Sequence, residues 1–196
     1  MFNAGEISEK TRVLSLVKDN EAYRFNRGPI VMARVEYTDR VNIFSKVGIG
    51  AKTIKFHTRK PNITLFNALE WKDKHYFISD IKEHNRAYLE ITTAQIEPRE
   101  CKYIKNTTIK DELNRPKSSL ETVLTFPGYL IEKYLGYQQL APQAQNDMTF
   151  VLVTPKVIKL EVGDLIKIGE KTYNVRIVHD LVEYKNEYEI NIVKEA

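Results

Sequence analysis

Three kinds of residue in this sequence could do chemistry: a lysine close to glycines, four histidines and one thiol. The run Gly48-Ile49-Gly50-Ala51-Lys52-Thr53 invites comparison with a phosphate-binding loop. Such a loop needs a glycine, four residues and then Gly-Lys-Ser/Thr, so that successive backbone N–H groups wrap the phosphates. In this run Ala51 separates Gly50 from Lys52, no glycine stands at the upstream place, and no helix-forming run follows. His57, His75, His84 and His179 are scattered, with no pair spaced to share one helix face. His57 and His75 fall at outward or edge positions of strand-like runs, where a solvated imidazole is expected. Cys101 is the single cysteine, so it can form no internal disulfide and no thiolate zinc cage. Nothing in the sequence pairs it with a base, as a nucleophile requires. The expectation is a non-enzyme with no catalytic, metal-binding or cofactor-binding residues.

One electrostatic feature stands out. The net charge is +4, yet from Arg40 to Leu69 there are six basic residues and no acid: Arg40, Lys46, Lys52, Lys55, Arg59 and Lys60. Two readings stay open. Such cations can sit against nucleic-acid phosphates, a contact independent of sequence. They can equally meet a protein neighbour or solvent. Base readout would need exposed aromatics among the charges, for which Phe44 and Phe56 are candidates, although Phe56 alternates as a core residue.

The elements that must position these residues are strands. "TRVLSLVKD", "PIVMARVEY", "KTIKFHTRK", "NITLFNALEW", "HYFISDIKE" and "RAYLEITTAQIE" are short, β-branched and aromatic, with Gly, Pro, Asn and Asp between them. In "KTIKFHTRK", Ile54 and Phe56 should face inward and Lys55 and His57 outward. Six such runs in about 100 residues suggest a small closed barrel or sandwich over 1–104, of which a six-stranded β-barrel is the expectation. From 105 to 147 the texture changes to a linker with one or two short helices. Ser118 and Glu121 form a capping-box pattern, Leu120, Val123 and Leu124 follow at helical spacing, and Pro127-Gly128 stops the helix. "YLIEKYLGYQQL" reads as the second helix. A second small β-rich domain follows over 148–196, with strands expected in "TFVLVTP", "VIKLEV", "DLIKIG", "KTYNVRIVHDLVEY" and "EYEINIVK".

The two halves echo each other loosely. Tyr76 and Ile78 follow Asp73-Lys74 much as Tyr173 and Val175 follow Glu170-Lys171, and "YLEI" at 88–91 resembles "EYEI" at 187–190. Both a duplication and the common grammar of β-hairpins fit this pattern. The start "MFNAGEISEK" has no apolar signal core, and no apolar run approaches the roughly 18 residues of a membrane span, so a cytosolic, reduced protein is expected.

In order and spacing, residues 3–100 resemble the head–tail adaptor, or head-closure (stopper), family of long-tailed bacteriophages. "AGEISEKTRVLSLVK" resembles that family's opening, "VMARVEY" its second strand, and "TIKFHTR" its third. "ALEWKDKHYFISDIKEHNRAYLEITTAQIE" resembles its closing hairpin. Met32 stands where the family usually has tryptophan, and "DRVNIFSKVGIGA" is shorter than the loop that in such proteins reaches toward the DNA channel. The resemblance implies a structural connector in the virion, at the head–tail junction, made in the host cytoplasm. It implies a homo-oligomeric ring, commonly twelvefold, around packaged DNA. Portal or adaptor rings would lie above it and tail-completion or tail proteins below, with no membrane. The six basic residues named above would then face the DNA channel or a neighbouring subunit. A tail-completion or tail-terminator ring protein is the nearest alternative, and an OB-like nucleic-acid-binding module is another.

Overall fold

The computed structural model describes residues 7–38, 52–59, 62–84, 87–110, 116–132 and 149–193. These residues form twelve strands, and no helix is present among them. None of the described residues therefore belongs to a helix long and apolar enough to cross a membrane. The chain divides into two compact units, residues 1–17 with 25–98 and residues 18–24 with 99–196.

The first unit holds β1 (Glu9–Asp19) and β2 (Ala22–Tyr37), apart from their joined ends within Lys18–Arg24, together with β3 (Lys52–Arg59), β4 (Asn67–Trp71), β5 (Lys74–His84) and β6 (Tyr88–Gln95). Their pairing order is β1-β4-β5-β6-β3-β2, and β2 pairs back to β1, so the six strands close into a ring. Alternation fills its inside with Val13, Leu69, Tyr76, Ile78, Ile91, Ile54, Phe56 and Ala33. Phe56 meets Trp71 and Tyr76 edge-on, with ring centroids 5.9 and 5.4 Å apart. Pairs in this geometry contribute about 0.5–1.5 kcal/mol each beyond the area they bury. The Trp71 indole N–H donates to the Glu9 carboxylate at 3.1 Å, so the ring's polar edge is satisfied. The β4–β5 turn places Lys72 and Asp73 at φ 51° and 57°, the two positive φ values that a tight type I′ hairpin needs.

The second unit holds β7 (Arg99–Lys110), β8 (Pro116–Glu132), β9 (Thr149–Pro155), β10 (Leu165–Ile168), β11 (Lys171–His179) and β12 (Lys185–Ile192). Their order is β7-β10-β11-β12-β9-β8, and β8 returns to β7. This is the strand order of the first unit, strand for strand. The correspondence extends to individual residues. Tyr76 opposes Gln95 and Ile78 opposes Thr93, while Tyr173 opposes Ile192 and Val175 opposes Ile190, a constant offset of 97 residues. Each register then slips by one residue, between Ile78 and Asp80 in β5 and between Val175 and Ile177 in β11. A bulge at one shared position, after a shared Tyr-x-Ile/Val, is a designed bend in both units. The echo between the two hairpins is thus one of topology and register.

Small residues also correspond. Ala33 opposes Thr58 on β3, and by the same register Gly128 stands opposite Thr154 on β9. A Cβ on Gly128 would lie 2.8 Å from the Cys101 sulfur and 2.8 Å from a Leu152 methyl, so only glycine lets β8 pass over that core.

Two expectations are corrected. The helix beginning at Ser118 is strand β8, which pairs with β7 throughout 116–128. Its apparent helical spacing comes from a bulge: Leu124 opposes Tyr103 and Thr122 opposes Ile104, leaving Val123 as the extra residue. That insertion breaks the period of two and imitates i, i+3, i+4. The second expected helix begins with Tyr129–Glu132, which is strand, and the rest of it lies outside the described residues, as does 111–115.

The strand expected at Val157–Val162 is a connection folded inward. Ile158 and Leu160 are buried in the core, as Ile63 is in the equivalent connection of the first unit. The Ile158 carbonyl accepts from the Tyr188 hydroxyl and the Asn186 amide, both at 2.8 Å, so a side-chain pair on β12 replaces the ladder the backbone lacks.

Ile78 is fully buried, and Ile78→Ala is expected to cost about 2–5 kcal/mol. Gly128→Ala is expected to cost about 1–3 kcal/mol through overpacking. Urea denaturation followed by tryptophan fluorescence and circular dichroism measures both. A loss below about 0.5 kcal/mol for Ile78→Ala would put β5 on the opposite face.

Candidate functional site

The acid-free stretch comes to the surface along β3. Arg40, Lys46 and Lys60 lie outside the described residues, as do Phe44 and most of the glycine-flanked run. Of the remainder, Lys52 and Arg59 are exposed and Lys55 is half-buried. Alternation places Lys55, His57 and Arg59 on the outer face, with Ile54 and Phe56 inside, as the sequence suggests.

Three-dimensional pairing changes the electrostatics. β2 brings Glu36 opposite Lys55, and β6 brings Glu90 opposite His57. Lys55 donates to the Glu90 carboxylate at 2.9 Å. His57 Nε2 lies 3.0 Å from Glu36, its Nδ1 lies 4.0 Å from Glu90, and His84 Nε2 lies 3.4 Å from the same Glu90 oxygen. Glu90 is thus the hub of one lysine and two histidines. The Lys55 hydrogen bond, with the nearby positive charges, holds its carboxyl below the usual carboxylate range and raises the Lys55 amine. A stretch with no acid in sequence is therefore countered by acids from both neighbouring strands. Seating a phosphate on Lys55 would require breaking its pair with Glu90. Lys52 instead lies 5.0 Å from the centre of the Tyr37 ring, a cation–π contact on the exposed surface.

The histidine expectation needs correction. His57 is 3% exposed and His75 is 7% exposed, so neither is a solvated strand residue. His75 packs at 5.0 Å against the Phe25 ring, and burial pushes its imidazole down to about 4, which keeps it neutral at pH 7. His84 and His179 lie on exposed strand ends, each beside a carboxylate. Cys101 is fully buried in the second unit's core, and burial pushes its thiol up to about 12, the opposite of an activated nucleophile. Among the described residues no cluster of three or more His, Cys, Asp or Glu side chains is arranged to hold a metal ion.

Alternation showed which β3 side chains point outward. It could not show Glu36 and Glu90, because register between distant strands is not written in local pattern. No protein-family model, curated protein or solved structure matches this chain.

The Lys55–Glu90 pair gives a pH test. Glu90, with its folded value lowered, stabilises above the ordinary carboxylate range and loses that contribution as pH falls through the folded value. Lys55, with its folded value raised, stabilises below the ordinary lysine range and loses it as pH rises through the folded value. Glu90→Gln is expected to cost about 0.5–1 kcal/mol at pH 7 for a partly exposed pair. That cost should shrink on acidification through Glu90's own titration. A cost that is unchanged at pH 3 would show that packing, not charge, holds Glu90.

Proposed function

We propose that this chain is a structural connector of a tailed bacteriophage, a head-completion or stopper protein that assembles as a homo-oligomeric ring around the DNA path. The observation that supports this reading is the first unit itself. The segments resembling the head-closure family supply all six strands of one closed ring, β1 to β6, which on this reading is that family's small β-barrel. A protein of this kind works through rigid surfaces and needs no catalytic group. Its subunits close a ring by one heterologous contact repeated around an axis. Portal or adaptor rings above and tail proteins below are its partners, and its place is the virion's head–tail junction.

The duplicated strand order suits such a role. Two units with one topology give each subunit two related surfaces for contact. On this reading Lys52, Arg59 and the cations at 40, 46 and 60 face the DNA channel or a neighbouring subunit, while Lys55 is paired with Glu90.

Light scattering after size-exclusion, with and without the portal complex, tests the proposal. The expected outcome is a chain of 22.8 kDa that joins the portal complex as a ring with a mass many times its own. The isolated chain should bind no single-stranded oligonucleotide at about 150 mM salt, where a few phosphate contacts are screened. A chain that stays monomeric beside the portal and binds single strands at micromolar concentration would instead be a nucleic-acid-binding module.

A further inference from the structure

The register shared by the two units allows each outward position to be compared with its counterpart. Val13 opposes Leu69 and Arg12 opposes Glu70 on β1 and β4. Tyr103 opposes Ile166 and Lys102 opposes Lys167 on β7 and β10. The inward pair is apolar in both units. The outward pair is opposite in charge in the first unit and alike in the second.

In the first unit the position is internally satisfied. Glu70 lies 3.8 Å from Arg12 and accepts a hydrogen bond from Arg27 at 3.0 Å. In the second unit, two lysines face each other directly across neighbouring antiparallel strands, an arrangement that destabilises a sheet. Both are exposed and line an open cleft of about 560 Å³ with Arg99, Thr122 and the turn glycine Gly169. Glu100, whose carboxylate lies 3.3 Å from the Lys102 ammonium, is the single acid among the described lining residues, leaving a surplus of two positive charges. The cleft sits wholly within the second unit, and Ile168, which also lines it, belongs to that unit's buried core. Gly169, at φ 60°, exposes backbone at its rim without a side chain in the way.

We propose that this cleft binds the phosphate backbone of nucleic acid, with Lys102, Lys167 and Arg99 as its cationic contacts and Thr122 as a hydroxyl donor. A like-charge pair that costs stability in the free chain gains a counter-charge when phosphate enters between the lysines. The shape favours a backbone over a base. The cleft is open and polar, and among the described lining residues it carries no aromatic platform on which a base could stack. Its lysines act as point charges, which suits contact independent of sequence. The cleft belongs to the second unit alone, outside the head-closure resemblance, so its role stands or falls apart from the connector reading.

Lys167→Glu is the informative variant, because it restores the opposite-charge arrangement of the first unit. Binding of the full-length chain to a fluorescent 20-base-pair duplex is measured at about 50 mM salt, where few-contact electrostatic binding is detectable. The wild type is expected to bind, with affinity falling steeply as salt rises. Lys167→Glu should lose at least tenfold in affinity while melting about 1–3 °C higher, since the repulsion is relieved. A rise in melting temperature with loss of binding separates this role from simple unfolding. Lys102→Ala relieves the same repulsion but gives up the Lys102–Glu100 pair, so it should weaken binding with a smaller rise.

Inorganic phosphate and a polyglutamate peptide serve as competitors. Displacement by either at concentrations that match the duplex would assign the cleft to free phosphate or to an acidic protein segment, and so overturn the proposal. Absence of duplex binding at low salt, or equal binding by wild type and Lys167→Glu, would overturn it as well.

Discussion

Everything in this molecule depends on ring closure. A strand paired on both sides has its register fixed twice, so a slip of one residue would break two ladders and turn a whole row of side chains from inside to outside. In each unit the order 1-4-5-6-3-2 returns to its first strand, which leaves no open edge to the set. Closure also demands a bend, and the bend is supplied by one bulge placed after Tyr76-Phe77-Ile78 and again after Tyr173-Asn174-Val175. The tyrosine and the β-branched residue point inward just before the kink, so the bend and the core are fixed by the same few residues. Where the wall must come close, a small residue allows it, Ala33 in one unit and Gly128 in the other.

The two units keep their inner rows and diverge on their outer rows. Inside, Tyr76 matches Tyr173, Leu69 matches Ile166 and Phe56 matches Leu152, all apolar or aromatic and all buried. Outside, the positions of Lys55 and His57 in the first unit are Val151 and Val153 in the second, both buried. The Arg12–Glu70 pair becomes Lys102 facing Lys167. Packing constrains the inner rows in the same way in both units, whereas the outer rows are free to differ with what each must meet. One strand order used twice gives the chain two similar cores beneath different surfaces.

Much of this was legible in the sequence. The six strands of the first half announced themselves by alternation between turn residues, and the hairpin likeness between Tyr76-Ile78 and Tyr173-Val175 was visible before its register was. The failures have identifiable physical causes. A bulge at Val123 erased alternation in β8 and left a helical spacing in its place. The stretch Val157–Val162 alternates like a strand, yet its Ile158 carbonyl, and that of Lys156 just before it, are claimed by Asn186 and Tyr188 side chains rather than by a neighbouring strand. His57 and His75 sit on outward faces as expected, but both faces of these strands are buried, which a period of two cannot reveal. The charge run from Arg40 to Leu69 was real in one dimension and partly cancelled in three, because Glu36 and Glu90 arrive from strands β2 and β6.

Closure itself is open to direct measurement by amide hydrogen exchange resolved residue by residue. If each unit is a closed ring, the amides where β1 meets β2 and where β8 meets β9, Tyr129–Glu132 against Phe150–Val153, are bonded across the closing ladders. They should then exchange as slowly as those of β5 and β11, with fast exchange confined to turns such as Lys72–Asp73 and Gly169–Glu170. An entire strand among those four exchanging at the rate of the turns would reveal an open edge, and a unit with an open edge is not a closed ring.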